Sequence, residues 1–275
     1  MVPERSQEKR AVDDGKADMA KMNSDQVSET KPVRQDSWRE TIKTVIYAVL
    51  IALVIRSVAY EPFNIPSGSM LPTLLIGDYV FVSKFPYGYS RHSMPLSPPL
   101  FEGRINEAPV VRGDIAVFKL PTDNSTDYIK RIIGLPGDRI QVKGGVLQIN
   151  GKAVKRERVE DFVQKHSGVR YGRVRQYRET LPNGRTYLTL DLQPSGMADD
   201  TDVYEVPAEH YFAMGDNRDD STDSRFLDHV GFIPAENLVG RADLIFFSVN
   251  DEARIWEVWK WHLAIRFKRL FSGFG

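Results

Sequence analysis

Asp127-Tyr128-Ile129-Lys130-Arg131-Ile132-Ile133-Gly134-Leu135-Pro136-Gly137-Asp138 joins a β-branched and aromatic run to a Gly/Pro turn. This predicts a short strand ending in a tight reversal. Side chains alternate across a strand, so Tyr128, Lys130 and Ile132 share one face and Ile129, Arg131 and Ile133 the other. A lysine among aromatic and aliphatic neighbours is open to desolvation, which lowers its pKa and lets it act as a base. The competing reading is a lysine that snorkels from an edge strand.

Runs of the same kind extend on both sides: Tyr79-Val80-Phe81-Val82, Asp114-Ile115-Ala116-Val117-Phe118 and Val146-Leu147-Gln148-Ile149. Asn150-Gly151 is a strong hairpin turn, with Lys152-Ala153-Val154 on its far side. Pro182-Asn183-Gly184 marks another turn. The expected fold is mainly β and antiparallel: a main domain over residues 61–139 and 209–250, interrupted by a polar β insertion over 140–208. The proline-rich loop from Phe85 to Val110 is expected on the surface.

The two ends differ from this centre. Residues 1–37 are polar without apolar periodicity and read as a disordered tail, with Met1 or Met22 as the start. Residues 38–60 read as a transmembrane anchor: Thr44 to Ile55 carries no charge, Lys43 and Arg56 can snorkel, and Trp38 and Tyr60 suit the head-group levels. Lys31, Arg34, Arg39 and Lys43 precede the span, and no lysine or arginine follows Arg56 until Lys84. That asymmetry predicts a single-pass chain with its N-terminus in the cytoplasm. Ser57-Val58-Ala59 also resembles a cleavage site, but the long polar leader and Arg56 favour an uncut anchor. Over residues 251–275, Trp256, Trp259, Leu263, Phe267 and Leu270 recur at helical spacing. They predict a short amphipathic helix, lying either at a membrane interface or on the β core.

Composition excludes several chemistries. The 275 residues contain no cysteine, so disulfides, thiolate catalysis and cysteine-bound zinc are ruled out. The five histidines form no H-E-x-x-H pair. Lysine plus arginine equals aspartate plus glutamate at 37 each, so no global basic field exists to hold nucleic acid.

Three further blocks carry candidate chemistry. Phe63-Asn64-Ile65-Pro66-Ser67-Gly68-Ser69-Met70-Leu71-Pro72-Thr73-Leu74 directly follows the span and shapes its backbone around two serines. Arg112-Gly113-Asp114 to Lys119 reads as a turn into a buried strand. Gly215-Asp216-Asn217-Arg218-Asp219-Asp220-Ser221-Thr222-Asp223-Ser224-Arg225 is dense in carboxylates and hydroxyls. Calcium is a rival reading of that loop, opposed by its own Arg218 and Arg225.

With the Asp127–Asp138 stretch, these four blocks, in this order after a membrane span, resemble the bacterial type I signal peptidases. The resemblance covers roughly residues 42–145 and 209–242. It implies a membrane-bound serine endopeptidase of the bacterial inner membrane, its catalytic domain on the outer, periplasmic side. Such an enzyme removes signal peptides from exported preproteins after small residues at −1 and −3. It implies Ser69 as nucleophile and Lys130 as general base, with the Ser69 amide and Ser67 hydroxyl as oxyanion hole. Ser221 would orient Lys130. Asp223 and Arg225 would form a supporting ion pair in which Asp216 shares. Phe63, Ile65, Pro66, Leu74, Val117, Tyr128 and Ile129 would line the substrate pockets. No metal or cofactor is implied, and the working form is expected to be a monomer whose partners are preproteins and the lipid bilayer. Asp220 stands where asparagine is common in that family, and Thr222 where alanine often sits. A Ser/His/Asp alternative would use His229 and Asp228.

Overall fold

The computed structural model describes residues 38–94, 97–99, 101–163, 172–250 and 261–274. Residues 1–37 and the tryptophans Trp256 and Trp259 lie outside them.

The anchor segment is one helix, α1 (Trp38–Val58). Its 21 residues give a length of about 31 Å, close to the ~30 Å of a bilayer core. Its best window has a mean hydropathy of 1.9, and none of its residues is buried by protein. Its hydroxyls are satisfied within the helix: Thr44 Oγ1 donates to Glu40 O at 2.9 Å and Ser57 Oγ to Leu53 O at 2.7 Å. An apolar solvent demands that economy.

The β region begins almost at once. β1 (Tyr60–Asn64), β2 (Asp78–Ser83), β15 (Leu238–Ser248), β3 (Ile115–Lys119), β4 (Asp127–Gly134), β13 (His210–Met214) and β14 (Ile233–Pro234) neighbour one another in that order. Every recorded pairing among them is antiparallel. The eleven-residue β15 is bulged and pairs with β2, with β3 and, through Leu244 and Ile245, with β16 (Ser272–Gly273). Alternation along β4 holds as the sequence predicts. Tyr128 and Ile132 pack with Ala116 and Phe118, while Ile129 packs with Ile115 and Val117 on the other side.

The segment between β4 and β13 builds two smaller sheets. One pairs β8 (Lys155–Arg158) and β9 (Phe162–Val163) with β10 (Arg173–Thr180), which pairs with β11 (Thr186–Asp191). The other runs β12 (Tyr204–Glu205), β5 (Arg139–Lys143), β6 (Val146–Ile149), β7 (Lys152–Ala153). Asn150 and Gly151 both take positive φ, 54° and 75°, as the β6–β7 hairpin turn requires. Despite its polar sequence, this region shares a core with the main sheet. Ile140, Val142, Leu147 and Ile149 pack with Ile133, Phe212 and Met214. Gly134 permits the approach, since a Cβ there would lie 2.9 Å from both Ile140 and Phe212.

Two expectations need correction. The loop after Phe85 is not a surface loop in its first half: Tyr87, Ser90, His92 and Ser93 are buried. Arg104 gathers it, donating to the carbonyls of Tyr87, Gly88, Ala235 and Leu238. The C-terminal amphipathic helix is also absent from the described residues. Helix α2 spans only Trp261–Ala264, followed by a 3-10 turn at Phe267–Arg269 and then β16. Helical periodicity gives way to Asp78. This fully buried carboxylate accepts from Arg269 Nε at 3.1 Å and Nη2 at 2.5 Å, and Arg266 Nη1 lies 3.7 Å away. Reaching it pulls the chain out of helical register.

Candidate active site

Three segments converge on Ser69. The first is the turn from Ile65 to Asp78. It is closed by Ile65 N donating to Asp78 O at 2.8 Å and Gly77 N to Ile65 O at 2.9 Å. Met70 and Leu74 anchor it in the main core. Leu71, fully buried, packs with Val174 and Leu190 of the smaller sheet. Opposing apolar contacts on either side hold Ser69 in place.

The second is β4, which carries Lys130. Lys130 Nζ lies 2.7 Å from Ser69 Oγ and also donates to Ile129 O at 3.1 Å. Its ammonium stands 5.2 Å from the Tyr128 ring centroid. Lys130 is 4% exposed and Ser69 8%. Burial draws the lysine pKa from 10.5 down to about 8, against the pull of Asp223, Asp216 and Asp220. At 2.7 Å a neutral amine can accept the hydroxyl proton of Ser69.

The third is the loop from Gly215 to Arg225. Asn217 N donates to Ser69 O, and its Nδ2 to Gly68 O, both at 3.1 Å. Asp223 and Arg225 form the expected pair, with Nε–Oδ1 and Nη2–Oδ2 both 2.9 Å. Burial would push the Asp223 carboxyl up, but Arg225 and the Gly215 amide hold it below the usual carboxylate range. Gly215 touches the site so closely that a Cβ there would lie 2.2 Å from Ser221 Oγ and 2.5 Å from Ser69 O.

These segments enclose a cleft of roughly 510 Å³. Phe63, Ile65, Pro66, Val117, Tyr128 and Ile129 line it, as do Ser67, Ser69 and Lys130. Leu74 does not: it is fully buried beneath the cleft floor in the main core. Ser221 Oγ is buried against Gly215, and its hydroxyl helps hold the Asp223 carboxyl down; the recorded hydrogen bonds of Lys130 go to Ser69 and Ile129 O instead. Asp216 does not join the Asp223–Arg225 pair. It accepts from Arg131 at 2.8 and 2.7 Å and from Thr73 Oγ1 at 2.5 Å, behind the β4 face that carries Lys130. The calcium reading loses its ligands for the same reason. Asp216 and Asp223 are held by arginines, and Asp219 accepts the amides of Leu192 and Gln193. Asp228 and His229 are exposed and outside the cleft.

The family model described as signal peptidase, peptidase S26, matches residues 38–247. The chain belongs to the signal peptidase S26 family. The Rickettsia typhi signal peptidase I is 40% identical over 268 residues, covering 91% of this chain and 97% of that one. The Rickettsia conorii enzyme is 41% identical over 263 residues, covering 90% and 97%. A solved signal peptidase I from Enterococcus faecalis V583 is 26% identical over 48% of this chain and 96% of its own, with a TM-score of 0.29, too low to inform the fold.

Within this S26 chain, the sequence motifs left three features unassigned. Arg131 and Thr73 bind Asp216; their residue types gave no hint, because their partner lies 85 and 143 positions away. Asn217 sits inside a recognised motif, and a buried amide between two loops was the available signal. Glu179, from β10, is fully buried and holds Arg218 at 3.0 and 2.5 Å. Nothing in its local sequence separates it from an exposed strand glutamate.

Proposed function

We propose that this chain is a membrane-anchored endopeptidase that removes N-terminal signal peptides from exported preproteins, with Ser69 and Lys130 as its catalytic pair. The observation that carries this is the 2.7 Å contact between a buried serine hydroxyl and a buried lysine whose pKa burial lowers to about 8. In the forward step, neutral Lys130 takes the Ser69 proton as Oγ attacks the scissile carbonyl carbon. The Ser69 amide and Ser67 hydroxyl stabilise the oxyanion. The intermediate collapses with the lysine proton passing to the leaving amine, and an acyl-enzyme remains. Water then repeats the sequence, giving its proton to Lys130 and freeing Ser69. The apolar wall of Phe63, Ile65, Pro66, Val117, Tyr128 and Ile129 suits small side chains at −1 and −3.

The charge asymmetry around α1 supports a cytoplasmic N-terminus at the bacterial inner membrane and a cleft on the periplasmic side. We take the working form to be a monomer. We take 61–139 and 209–250 as the catalytic domain and 140–208 as an insertion that braces it.

The test is cleavage of a preprotein in detergent by wild type, Ser69→Ala and Lys130→Ala. Both variants should lose at least about 10³ in kcat, since removing one member of such a unit costs on that scale or more. His229→Ala should cleave normally. Cleavage at wild-type rate by either dyad variant would overturn the assignment.

A further inference from the structure

A second cavity, of roughly 310 Å³, backs on to the Ile65–Asp78 turn that carries Ser69. Pro72 and Thr73 of that turn line it, as does Arg131, which leaves β4 on the opposite face from Lys130. The described lining holds four arginines, Arg131, Arg178, Arg185 and Arg269, and no carboxylate. Three of them are compensated from outside the cavity: Arg131 by Asp216, Arg185 by Asp114 and Arg269 by Asp78. Those partners fix the guanidiniums in place without exhausting their donors. Arg185 bonds Asp114 through Nη1 alone, and Arg269 uses Nε and Nη2 on Asp78 and Thr73 O. Arg178 differs. It is exposed and makes no hydrogen bond or ion pair with any described residue. Glu157, its neighbour across the β8–β10 ladder, is bridged by Lys155 at 2.6 Å, and Lys155 acts on that carboxylate more strongly than Arg178 does. The adjoining cavity, which shares Gly113, Arg185 and Phe274, adds only the internal pair Arg241–Asp243 at 2.8 Å. Four arginines against three aspartates leave one positive charge in excess at this wall, and Arg178 carries it.

We propose that this cavity binds a phosphate-class oxyanion, held by Arg178 with the free edges of Arg185 and Arg269. Planar guanidinium forks match phosphate oxygens, and forks already locked by buried carboxylates lose little freedom on binding. The exposed Thr186 hydroxyl, also in the lining, is a further donor. Leu188, Ile245 and Phe274 supply an apolar side to the same cavity. The phosphate can therefore be free or carried on a lipid head group; the donors are the same. Bound there, it braces the serine turn from behind, because Arg269 also holds Thr73 O at 2.9 Å. A ligand that binds the folded chain alone raises its melting temperature.

The experiment follows thermal melting of the full-length chain in uncharged detergent. One arm adds about 20 mM inorganic phosphate, against chloride at equal ionic strength. The other dopes the micelles with phosphatidylglycerol, against phosphatidylcholine. A rise of about 3 °C or more is expected in at least one arm, and acetate at the same ionic strength should give less than about 1 °C. A rise with inorganic phosphate assigns the site to the free ion; a rise with phosphatidylglycerol alone assigns it to a lipid head group. Arg178→Gln should lose at least about two-thirds of the rise, since it removes the one guanidinium without a partner. Arg139→Gln, an equal loss of charge at an exposed residue outside the cavity, should keep it. Should Arg178→Gln fail to fold, Thr186→Glu sets a carboxylate in the lining and should abolish the rise as well. No rise in either arm, or a rise that persists in folded Arg178→Gln or Thr186→Glu, overturns the proposal. No cleavage enters the readout, so the result is independent of the Ser69–Lys130 assignment.

Discussion

Lys130 is where a single side chain sets the most. With its pKa near 8, kcat/KM should climb with pH and level off above about 8. A profile flat from acid to neutral pH would remove lysine as the base. The same burial has a cost in stability. Between about pH 8 and 10.5 the unfolded chain keeps a proton on this lysine that the folded chain has lost, so stability rises with pH across that window. Below it the buried ammonium costs on the order of 3 kcal/mol. Lys130→Met should therefore melt above wild type at pH 7, with the gap closing as pH rises from 8 to 10.5; calorimetry that finds a pH-independent gap refutes this. Gly215→Ala tests the packing around Ser69. Its Cβ would collide with Ser221 Oγ and Ser69 O, so peptide cleavage should fall by at least about tenfold in protein that still folds. The face of Lys130 was readable from alternation along its own strand. Its aromatic and aliphatic neighbours also pointed to desolvation, but the contact with Ser69 was not legible, since the serine arrives from 61 positions away. Asp216, which the resemblance placed beside Asp223 and Arg225, is reached by Arg131 from the far face of β4.

At the scale of elements, the β10–β11 hairpin and the Gly215–Arg225 loop act as one piece. Leu190 N donates to Asp216 O at 2.8 Å and Arg218 N to Leu190 O at 3.0 Å, while Glu179 buries its carboxylate on Arg218. Glu179→Gln should destabilise by about 3 kcal/mol, because it leaves a buried guanidinium short of its counter-charge. Glu179→Met with Arg218→Met should lose less than either single change, as read by urea unfolding. Strand patterning exposed the hairpin, yet its polar surface hid Leu71, Val174 and Leu190, the contact that seats it under the serine turn. The C-terminal amphipathic helix is not seen among the described residues for a related reason. Leu263, Phe267 and Leu270 do keep helical spacing, but Arg266 and Arg269 are recruited by a carboxylate in a distant strand.

For the whole molecule, α1 and the cleft answer to different solvents. Deleting residues 1–58 should leave kcat/KM on a short soluble peptide within about threefold, while cleavage of a preprotein inserted in vesicles drops by about 10² or more. Equal losses on both substrates would mean that the helix supports the fold rather than the encounter. Hydropathy makes this division legible in the sequence, because an apolar run of helical length has few other destinations.

Asp78 gives the protein a sense of time. It forms the base of the serine turn, through Leu75 N at 2.8 Å, but the arginine that neutralises it is 191 positions further along the chain. At bacterial synthesis rates that interval lasts roughly 10–40 s. Throughout it, the apolar helix and the serine turn have already been made, while the arginine that closes the turn has not. The turn bearing Ser69 gains its last support only after translation has passed Arg269.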